Sequence, residues 1–310
     1  MNNPTQVTVH APATVANLVC GFDVMGLCLH APYDEMHIKL LNEKKVLISN
    51  TDGYALPTDP ALNTAGAPLL QMIKELGTDV GFDIIINKKI KPGSGIGSSA
   101  ASAAGAVIGA NHLLGNIFSK TELTRFAMYG EEIASGVQHA DNIAPAIFGG
   151  VTLLRSTFPL DIVTIPSPPF FVTIVHPQIE VRTADARKIL KKEVSLKRAI
   201  RQWGNVGGLV AGFFKNDLDL IGRSLEDVII EPVRSMLIPA FDEVKKRSKQ
   251  VGAIGGGISG SGPSIFMLSA NEAIAYEVEV EMKNVYQKIG IEFHTYVTTI
   301  NQQGVSIVEK

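Results

Sequence analysis

Alternating hydrophobic and polar positions in the first half of the chain have the period of two that predicts β-strands. The stretches with this pattern are QVTVHA, MHIKLLN, KKVLISN and GFDIIINKKI, the last of which spans 81–90. Other stretches repeat their apolar residues at helical spacing, and we predict helices over 63–76, from 98 to about 114 and from about 120 to 135. A further strand is predicted at FGGVTLLRS, after the third helix.

A proline-rich segment over 159–169 follows, and it indicates a domain boundary or a long connection. Behind it, FFVTIVHP predicts a strong strand, and PSIFMLS and IEFHTYVTTI predict two more. Helices are predicted around 184–192, 196–214, 217–227 and 234–248. Because each half mixes helices and strands, we expect an α+β protein with two domains, 1–160 and 161–310.

The composition is typical of a globular protein and argues against several classes of partner. A length of 310 residues allows about two domains, and 45% hydrophobic against 19% charged residues is an ordinary balance. The net charge of -2 disfavours nucleic acid as a partner. No apolar run has the length of a membrane span, and no secretory signal pattern is visible. Cys20 and Cys28 lack the spacing of a redox or metal site, so we expect a cytoplasmic protein.

The stretch KPGSGIGSSAASAAGA, over 91–106, is the first candidate for chemistry. Gly93, Gly95 and Gly97 tolerate positive φ angles, so their loop can turn its backbone amides to one side. A helix that begins near Ser98 adds unpaired N–H groups and the positive end of its dipole, and phosphate is the natural ligand of such a site. Ser98 stands where a P-loop needs lysine and where a dinucleotide-binding loop needs its third glycine. A serine-capped turn without a ligand is the alternative.

A second glycine-rich loop, GGGISGSGPSIFML over 255–268, lies directly before a predicted strand. On its own it is no more than a tight turn. Two such loops in one chain favour a phosphate ligand that both contact.

Polar residues in apolar surroundings supply further candidates. Glu131 lies on the margin of the apolar stripe of the helix over 120–135, where a ligand for a divalent ion could sit, although a half-buried ion pair would explain it too. His139, Asp141 and Asn142 are concentrated in one short segment and resemble a site more than a lone structural histidine does.

Five stretches, taken together and in this order, resemble the GHMP kinase superfamily, whose members phosphorylate small metabolites at a hydroxyl with ATP. They are APATVANLVCGFDVMGL, PGSGIGSSA over 92–100, HADNIAPAIFGG, IIEPVRSMLIP over 229–239, and GISGSGPS. Within the superfamily the chain is similar to the homoserine kinases. One departure is Val19-Cys20, where those proteins usually have a Gly-Pro-like turn. The resemblance implies an N-terminal ATP-binding α/β domain, a C-terminal ferredoxin-like α+β domain, and a homodimer.

The resemblance also implies roles for individual residues. ATP would be bound by Asn63, Pro92, Gly93, Ser94, Gly95, Ile96, Gly97, Ser98, Ser99, Ala100 and Thr183. Mg²⁺ would be held by Ser99 and Glu131. The substrate, L-homoserine, would be bound by Asn17, Asp23, His139, Arg187 and Arg234. Catalysis would involve Glu131, Asp141 and Asn142, with Asn142 facing the reacting hydroxyl. Because phosphoryl transfer depends mainly on positioning and charge neutralisation, we expect Asp141 to orient the site.

Three alternatives differ in testable ways. A superfamily member with another alcohol substrate, such as mevalonate, would need no partner for an ammonium group. A nicotinamide oxidoreductase is disfavoured by Ser98 in the place of a glycine. A noncatalytic nucleotide-binding protein is disfavoured by the joint presence of Glu131, Arg187 and Arg234.

Overall fold

The strands of the protein form two sheets in a computed structural model that describes residues 4–51, 53–181 and 183–308. The first sheet has the order β11-β1-β2-β4-β3, and β5 continues it from the beginning of β2 and pairs with β6. The pair β3–β4 is parallel, and the others are antiparallel. Its members are β1 (Gln6–Ala16), β2 (Met25–Leu41), β3 (Val46–Asn50), β4 (Gly81–Asn87), β5 (Val151–Thr157), β6 (Leu160–Ile165) and β11 (Ser306–Val308).

Helices of the first half include α1 (Gly66–Leu76), α2 (Ser98–Leu113), α3 (Lys120–Ser135) and α4 (Ile143–Phe148). Helix α2 is buried along most of its length and lies on β1 and β2. Small residues on α2 allow this close packing. A Cβ atom added at Gly105 would come within 2.6 Å of the Met36 sulfur and 2.9 Å of the Ala11 Cβ. The middle of α2 therefore lies close against the sheet.

The second sheet has the order β10-β7-β9-β8, with antiparallel neighbours throughout. Its strands are β7 (Phe171–Pro177), β8 (Gly255–Ile258), β9 (Ile265–Ser269) and β10 (Phe293–Thr299). The helices of this half are α5 (Thr183–Lys188), α6 (Leu196–Lys215), α7 (Leu218–Ser224), α8 (Glu231–Arg234), α9 (Phe241–Gln250) and α10 (Glu272–Ile289). Helices therefore lie between β7 and the hairpin β8–β9, and α10 lies between that hairpin and β10. A ferredoxin-like domain has the same order of elements. The predicted α+β fold is confirmed.

Several predicted helix boundaries differ from the observed ones for local reasons. The helix expected from residue 63 begins at Gly66, because Pro60–Leu62 forms a short 3-10 turn that ends at Asn63. The helix expected from 234 begins at Phe241, because Pro239 cannot donate a backbone hydrogen bond. Helix α5 ends at Lys188 and α7 at Ser224, earlier than expected. Helix α10 is not among the predicted elements.

The sheets separate between Ile165 and Phe171, inside the proline-rich segment. Strand β6 lies beyond the predicted boundary at 160, and the C-terminal strand β11 returns to the first sheet. One hydrophobic cluster joins the halves, from Val9 on β1 to Leu209 on α6. We propose that the two predicted domains meet within 166–170 and that 306–308 belongs to the first. None of the helices among the described residues has the length and hydropathy to cross a membrane.

Candidate active site

The glycine loop before α2 has the backbone that its sequence predicts. Gly93, Gly95 and Gly97 have φ angles of 75°, 81° and 71°, which residues with side chains rarely adopt. Helix α2 begins directly after them at Ser98, whose side chain donates a 2.9 Å hydrogen bond to the Ile90 carbonyl. The loop therefore presents its amides beside the positive end of a helix dipole, which is an arrangement that binds anions.

The second glycine-rich loop, between β8 and β9, is fastened to the first. The Ser259 hydroxyl donates to the Gly95 carbonyl at 2.7 Å, and the Ser264 hydroxyl donates to the Ser94 carbonyl at 2.6 Å. A side chain at Gly95 would collide with the Gly262 carbonyl. The two loops thus form one wall, as expected for loops that contact a common ligand.

A cavity of about 490 Å³ lies against this wall and collects most of the predicted site residues. Phosphate-binding and substrate-binding candidates face the same space, although they come from both halves of the chain. Its lining includes Asn17, Asp23, Pro92, Gly93, Gly95, Gly97, Ser98, Ser99, Glu131, His139, Asp141, Asn142, Thr183, Arg187 and Arg234.

Four predicted residues do not line the cavity. Asn63 is 4% exposed, donates to the Pro57 carbonyl at 2.6 Å and accepts from the Ala65 amide at 2.8 Å, so its side chain shapes the entry to α1. Ser94, Ile96 and Ala100 are buried. Of these, Ser94 and Ile96 contribute carbonyls that hold the loop in place, the first to Ser264 and the second to the Thr14 amide.

Ser99 and Glu131 form the candidate metal centre. The Ser99 hydroxyl donates to Glu131 Oε2 at 2.8 Å, and Glu131 is 9% exposed. Burial raises the pKa of Glu131 to about 7, against the opposing effect of the hydrogen bond from Ser99. The described residues contain no group of three or more His, Cys, Asp or Glu side chains that could hold a metal. A hydroxyl and one carboxylate fit Mg²⁺, which commonly takes few protein oxygens and completes its shell with phosphates and water.

A second group of side chains in the cavity lining consists of Asp23, Arg187 and Arg234. Arg187 Nη2 donates to both oxygens of Asp23, at 2.8 and 3.0 Å. The guanidinium groups of Arg187 and Arg234 lie over the Phe22 ring, with 5.4 and 4.9 Å to its centroid. Arg234 donates further to the Gly260 carbonyl at 3.1 Å, and its burial lowers its pKa. Two adjacent arginines suit a carboxylate, and Asp23 suits an ammonium group.

The loop that carries Asn17 and Asp23 has an unusual backbone. Asn17, Leu18 and Val19 have φ angles of 73°, 41° and 65°, and Asp23 has 60°. Asn17 stabilises this shape because its amide donates to the Gly260 carbonyl at 2.8 Å, and its oxygen accepts from the Asp23 amide at 3.0 Å. Positive φ angles are common for Asn and Asp but strained for Leu18 and the β-branched Val19, and strained residues cluster at functional sites. With Val19-Cys20 in the turn, both polar side chains still reach the cavity.

The segment before α4 brings three polar side chains to the cavity. Burial, followed by the charges of Asp23 and Glu131, raises the pKa of Asp141 to about 7. His139 is half-buried, and its Nδ1 lies 3.8 Å from an Asp23 oxygen; burial lowers its pKa although Asp23 opposes this. Asn142 accepts a 2.8 Å hydrogen bond from the Thr14 hydroxyl, which fixes the orientation of its amide.

Lys88 is the main site residue that the sequence does not reveal. Its ammonium group is buried behind the glycine loop, where it donates to Asp34 Oδ2 at 2.6 Å, to the Ser102 hydroxyl at 2.8 Å and to the Ser98 carbonyl at 3.0 Å. Asp34 also accepts from the backbone amides of Lys89 and Ile90. Lys88 therefore links the end of β4 to the first turn of α2. Its only signal in the sequence is a lysine between a strand and a glycine loop.

Comparisons with known proteins agree with this geometry. Residues 63–150 match the family model described as GHMP kinases N terminal domain, and 209–288 match GHMP kinases C terminal. A homoserine kinase of Chloroherpeton thalassium is 46% identical, with 98% of this chain and 99% of the relative covered. One of Methanococcus vannielii is 39% identical, over 92% and 93%. The crystal structure of homoserine kinase from Cytophaga hutchinsonii has a TM-score of 0.95 at 47% identity and covers 99% of both chains. A mevalonate kinase from L. major, at 17% identity and a TM-score of 0.71 over 97% and 98%, shares the fold.

Proposed function

The chain belongs to the GHMP kinases and, within them, to the homoserine kinases, and on this premise we propose that it transfers the γ-phosphoryl group of ATP to the side-chain hydroxyl of L-homoserine. The product is O-phospho-L-homoserine, an intermediate of threonine biosynthesis. The observation that carries the proposal is one cavity lined both by an anion-binding loop and by an acid with two arginines. These two groups suit a nucleotide phosphate chain and a zwitterionic amino acid.

The phosphate end works mainly through backbone groups. The amides of the glycine loop and the first turn of α2 hold the phosphates of ATP, in a wall that Ser259 and Ser264 keep rigid. Ser99 and Glu131 would hold Mg²⁺, which would supply neutralisation of the charge that develops on the transferred phosphoryl group. Their oxygens are already adjacent, since the Ser99 hydroxyl donates to Glu131 Oε2.

The substrate end selects for a zwitterion by ion-pair exchange. In this structure Arg187 and Asp23 form an ion pair with each other. Homoserine separates them and offers its ammonium group to Asp23 and its carboxylate to Arg187 and Arg234, so no charge is left unpaired. A hydroxy acid or an amino alcohol would pair only one side, and leaving a charge unpaired in a partly buried site is costly.

In the chemical step the substrate hydroxyl oxygen forms a bond to the γ-phosphorus while the bond from that phosphorus to the ADP oxygen breaks. Asn142, oriented by Thr14, holds the hydroxyl. Asp141 keeps it in line with the γ-phosphate, and the hydroxyl proton leaves late, to solvent. Positioning of this kind supplies much of the acceleration in phosphoryl transfer.

Replacing Asp141 with asparagine tests whether its role is positional. Asparagine keeps the shape and one acceptor oxygen, so we expect kcat to fall by less than about 100-fold, which is the lower limit of the loss expected when a general base is removed. Steady-state kinetics with both substrates varied would measure this. Loss of turnover at unchanged ATP and homoserine affinity would instead make Asp141 the base that takes the proton.

A coupled assay for ADP release tests the proposed reaction directly. We expect turnover that depends on L-homoserine and that is absent with mevalonate or 4-aminobutanol, because each has a hydroxyl but lacks one of the charges that the cavity pairs. No homoserine-dependent signal, with ATP still raising the melting temperature, would indicate a noncatalytic nucleotide-binding protein. Turnover of mevalonate in place of homoserine would identify another kinase of the superfamily.

Two further properties belong to this proposal. The protein is a homodimer, as the resemblance to homoserine kinases implies. It is cytoplasmic, which is supported by two buried cysteines, Cys20 and Cys28, that are free thiols and whose pKa values burial raises.

A further inference from the structure

Gln202 is the first buried residue of helix α6, although its side chain is polar. It is 9% exposed, and the next buried residue along the helix is Leu209. Glutamine is mostly an exposed residue, and burial of its amide costs free energy unless both its donor and its acceptor are hydrogen-bonded. The partners of Gln202 therefore explain why it stands at this position.

The amide of Gln202 bridges two segments that are distant in the sequence. Its Nε2 donates to the Cys20 carbonyl at 2.8 Å, and its Oε1 accepts from the Val228 amide at 2.9 Å. Cys20 belongs to the loop over 17–23, here called the Asp23 loop, and Val228 belongs to the turn over 225–230 between α7 and α8, here called the Asp227 turn. Because one planar group makes both contacts, it fixes how far apart the two backbones lie.

Each of these segments holds one charged side chain of the substrate site. The Asp23 loop presents its carboxylate to the cavity. In the turn, Asp227 is buried and accepts hydrogen bonds from the three backbone amides of 229–231, which fixes the start of α8. Helix α8 ends at Arg234, which lines the same cavity. Gln202 thus joins the support of the anionic partner to the support of the cationic one.

Other contacts with α6 also hold the Asp227 turn. Arg201 donates to both carboxylate oxygens of Glu226, at 2.7 and 2.8 Å, and Asn205 Nδ2 donates to the Glu226 carbonyl at 2.7 Å. Between the turn and the Asp23 loop a gap of about 10 Å³ remains, so the two segments do not pack completely against each other. The Gln202 amide is therefore a direct determinant of their separation.

We propose that Gln202 is a positioning residue of the substrate site, whose amide sets the separation of Asp23 and Arg234 and thereby the spacing of ammonium and carboxylate groups that the cavity accepts. This inference rests on the proposed homoserine kinase function. Gln202 lies outside the lining of the cavity and acts through the backbone segments that carry the two charges. Because its amide is uncharged, its removal changes the geometry of the site and leaves the charges in place.

Gln202→Met tests the proposal by kinetics, because methionine keeps the length of the side chain and removes both hydrogen bonds. We expect kcat/KM for L-homoserine to fall by about 10–100-fold, since a displacement of binding groups by about 1 Å can cost rate on this order. The KM for ATP should not change. Gln287→Met, the same replacement at an exposed position of α10, is the matched control and should alter neither constant.

A substrate with a different charge spacing separates positioning from a general loss of structure. In 3-amino-5-hydroxypentanoic acid one more carbon lies between the ammonium group and the carboxylate than in homoserine. The ratio of the two kcat/KM values is independent of the fraction of active enzyme, so a variant that is merely less stable keeps the wild-type ratio. We expect the preference of Gln202→Met for homoserine to fall by about tenfold, the equivalent of one buried hydrogen bond.

The kinetic outcomes distinguish this inference from the function on which it rests. An unchanged ratio in a Gln202→Met enzyme that still phosphorylates homoserine would overturn the inference and leave the kinase function in place. Absence of homoserine-dependent turnover in the wild-type protein would overturn both.

The Cys20 thiol reports on the Asp23 loop without any substrate. Cys20 is 2% exposed and belongs to the residue whose carbonyl Gln202 holds. We expect it to react slowly with a thiol reagent such as DTNB in the wild-type protein and much faster in Gln202→Met, while Cys28, buried in β2, stays unreactive in both. Peptide mass spectrometry would assign the labelled thiol. Equally slow labelling of Cys20 in both folded proteins would show that other contacts hold the loop, and would overturn the proposal.

Hydrogen exchange on the wild-type protein decides the question if Gln202→Met does not fold. Since Gln202 couples the two segments, homoserine should slow the exchange of backbone amides in 17–23 and in 226–231 together. Protection of 17–23 with no change over 226–231 would overturn the proposal.

Discussion

Replacing Glu131 with glutamine is expected to lower kcat by on the order of 10²–10³-fold. The same substitution is expected to raise the free energy of unfolding of the metal-free protein at alkaline pH. The loss of rate follows from the proposed role of Glu131 as a ligand of Mg²⁺, because glutamine would offer the ion no negative charge. The gain in stability follows from the pKa of the buried carboxyl, which burial raises from 4.5 to about 7. A group with a raised folded pKa contributes stability below its unfolded pKa and loses that contribution as the pH rises through its folded pKa.

The free energy of unfolding of the wild-type protein therefore contains a term from Glu131 that declines between pH 4.5 and about 7. At one pKa unit per 1.36 kcal/mol, this term amounts to about 3 kcal/mol at most. Urea denaturation without divalent cations, at about pH 5 and about pH 8, would measure it, since the two proteins should differ mainly at the higher pH.

Glu132→Gln is the matched control, because Glu132 is exposed on the same helix and only accepts a hydrogen bond from Gln138. It should change neither kcat nor the pH dependence of stability. A Glu131→Gln enzyme with wild-type kcat and Mg²⁺ dependence would contradict the proposed role of Glu131 as a metal ligand.

Lys88→Met is expected to lower the free energy of unfolding by about 3–5 kcal/mol, because it leaves the carboxylate of Asp34 buried without its cation. The double variant Asp34→Asn, Lys88→Met should recover much of this loss, since a neutral amide can still accept from the Lys89 and Ile90 amides. Chemical denaturation of the three proteins would measure the coupling. Lys89→Met, at an exposed neighbouring position, is the control.

The folded double variant also separates a structural role from a functional one. Without the lysine, the Ser98 carbonyl and the Ser102 hydroxyl lose their donor, and the first turn of α2 is held less firmly under the phosphates. We expect the KM for ATP to rise more than the KM for homoserine. Equal changes in both constants would mean that Lys88 supports the fold and has no particular role at the phosphate loop.

Local chemistry explains which parts of the site could be predicted. Glycines at 93, 95 and 97 require positive φ angles wherever they lie, and their loop was predictable from residues a few positions apart. The pair Asp23 and Arg187 is separated by 164 positions, so no local pattern contains it, and only the resemblance to known kinases suggested both residues. Lys88 and Asp34, 54 positions apart, were invisible to both approaches.

Helix α10 shows how a local pattern misleads. Its YEVEVEM segment alternates apolar and acidic residues like a strand, yet Asn271 caps the helix at its start and Gly290 ends it. Burial follows the helical period through Ala275, Val278 and Met282, and Val280 is exposed. Packing against β7 decides between the two periods, and this packing is a property of the folded chain.

The serine contacts that fasten the second glycine-rich loop to the first bear on how such enzymes can be recombined. A chimera that takes residues 1–165 from this chain and the rest from a distant kinase would contain the complete sequence of the first glycine loop. It would lack the hydroxyls of Ser259 and Ser264 that hold the carbonyls of Gly95 and Ser94, unless the donor supplies them at matching positions. The two glycine-rich loops, one from each half of the chain, therefore have to match each other. A chimera with its crossover between them should bind nucleotide only when the second half supplies hydroxyls at the positions of Ser259 and Ser264.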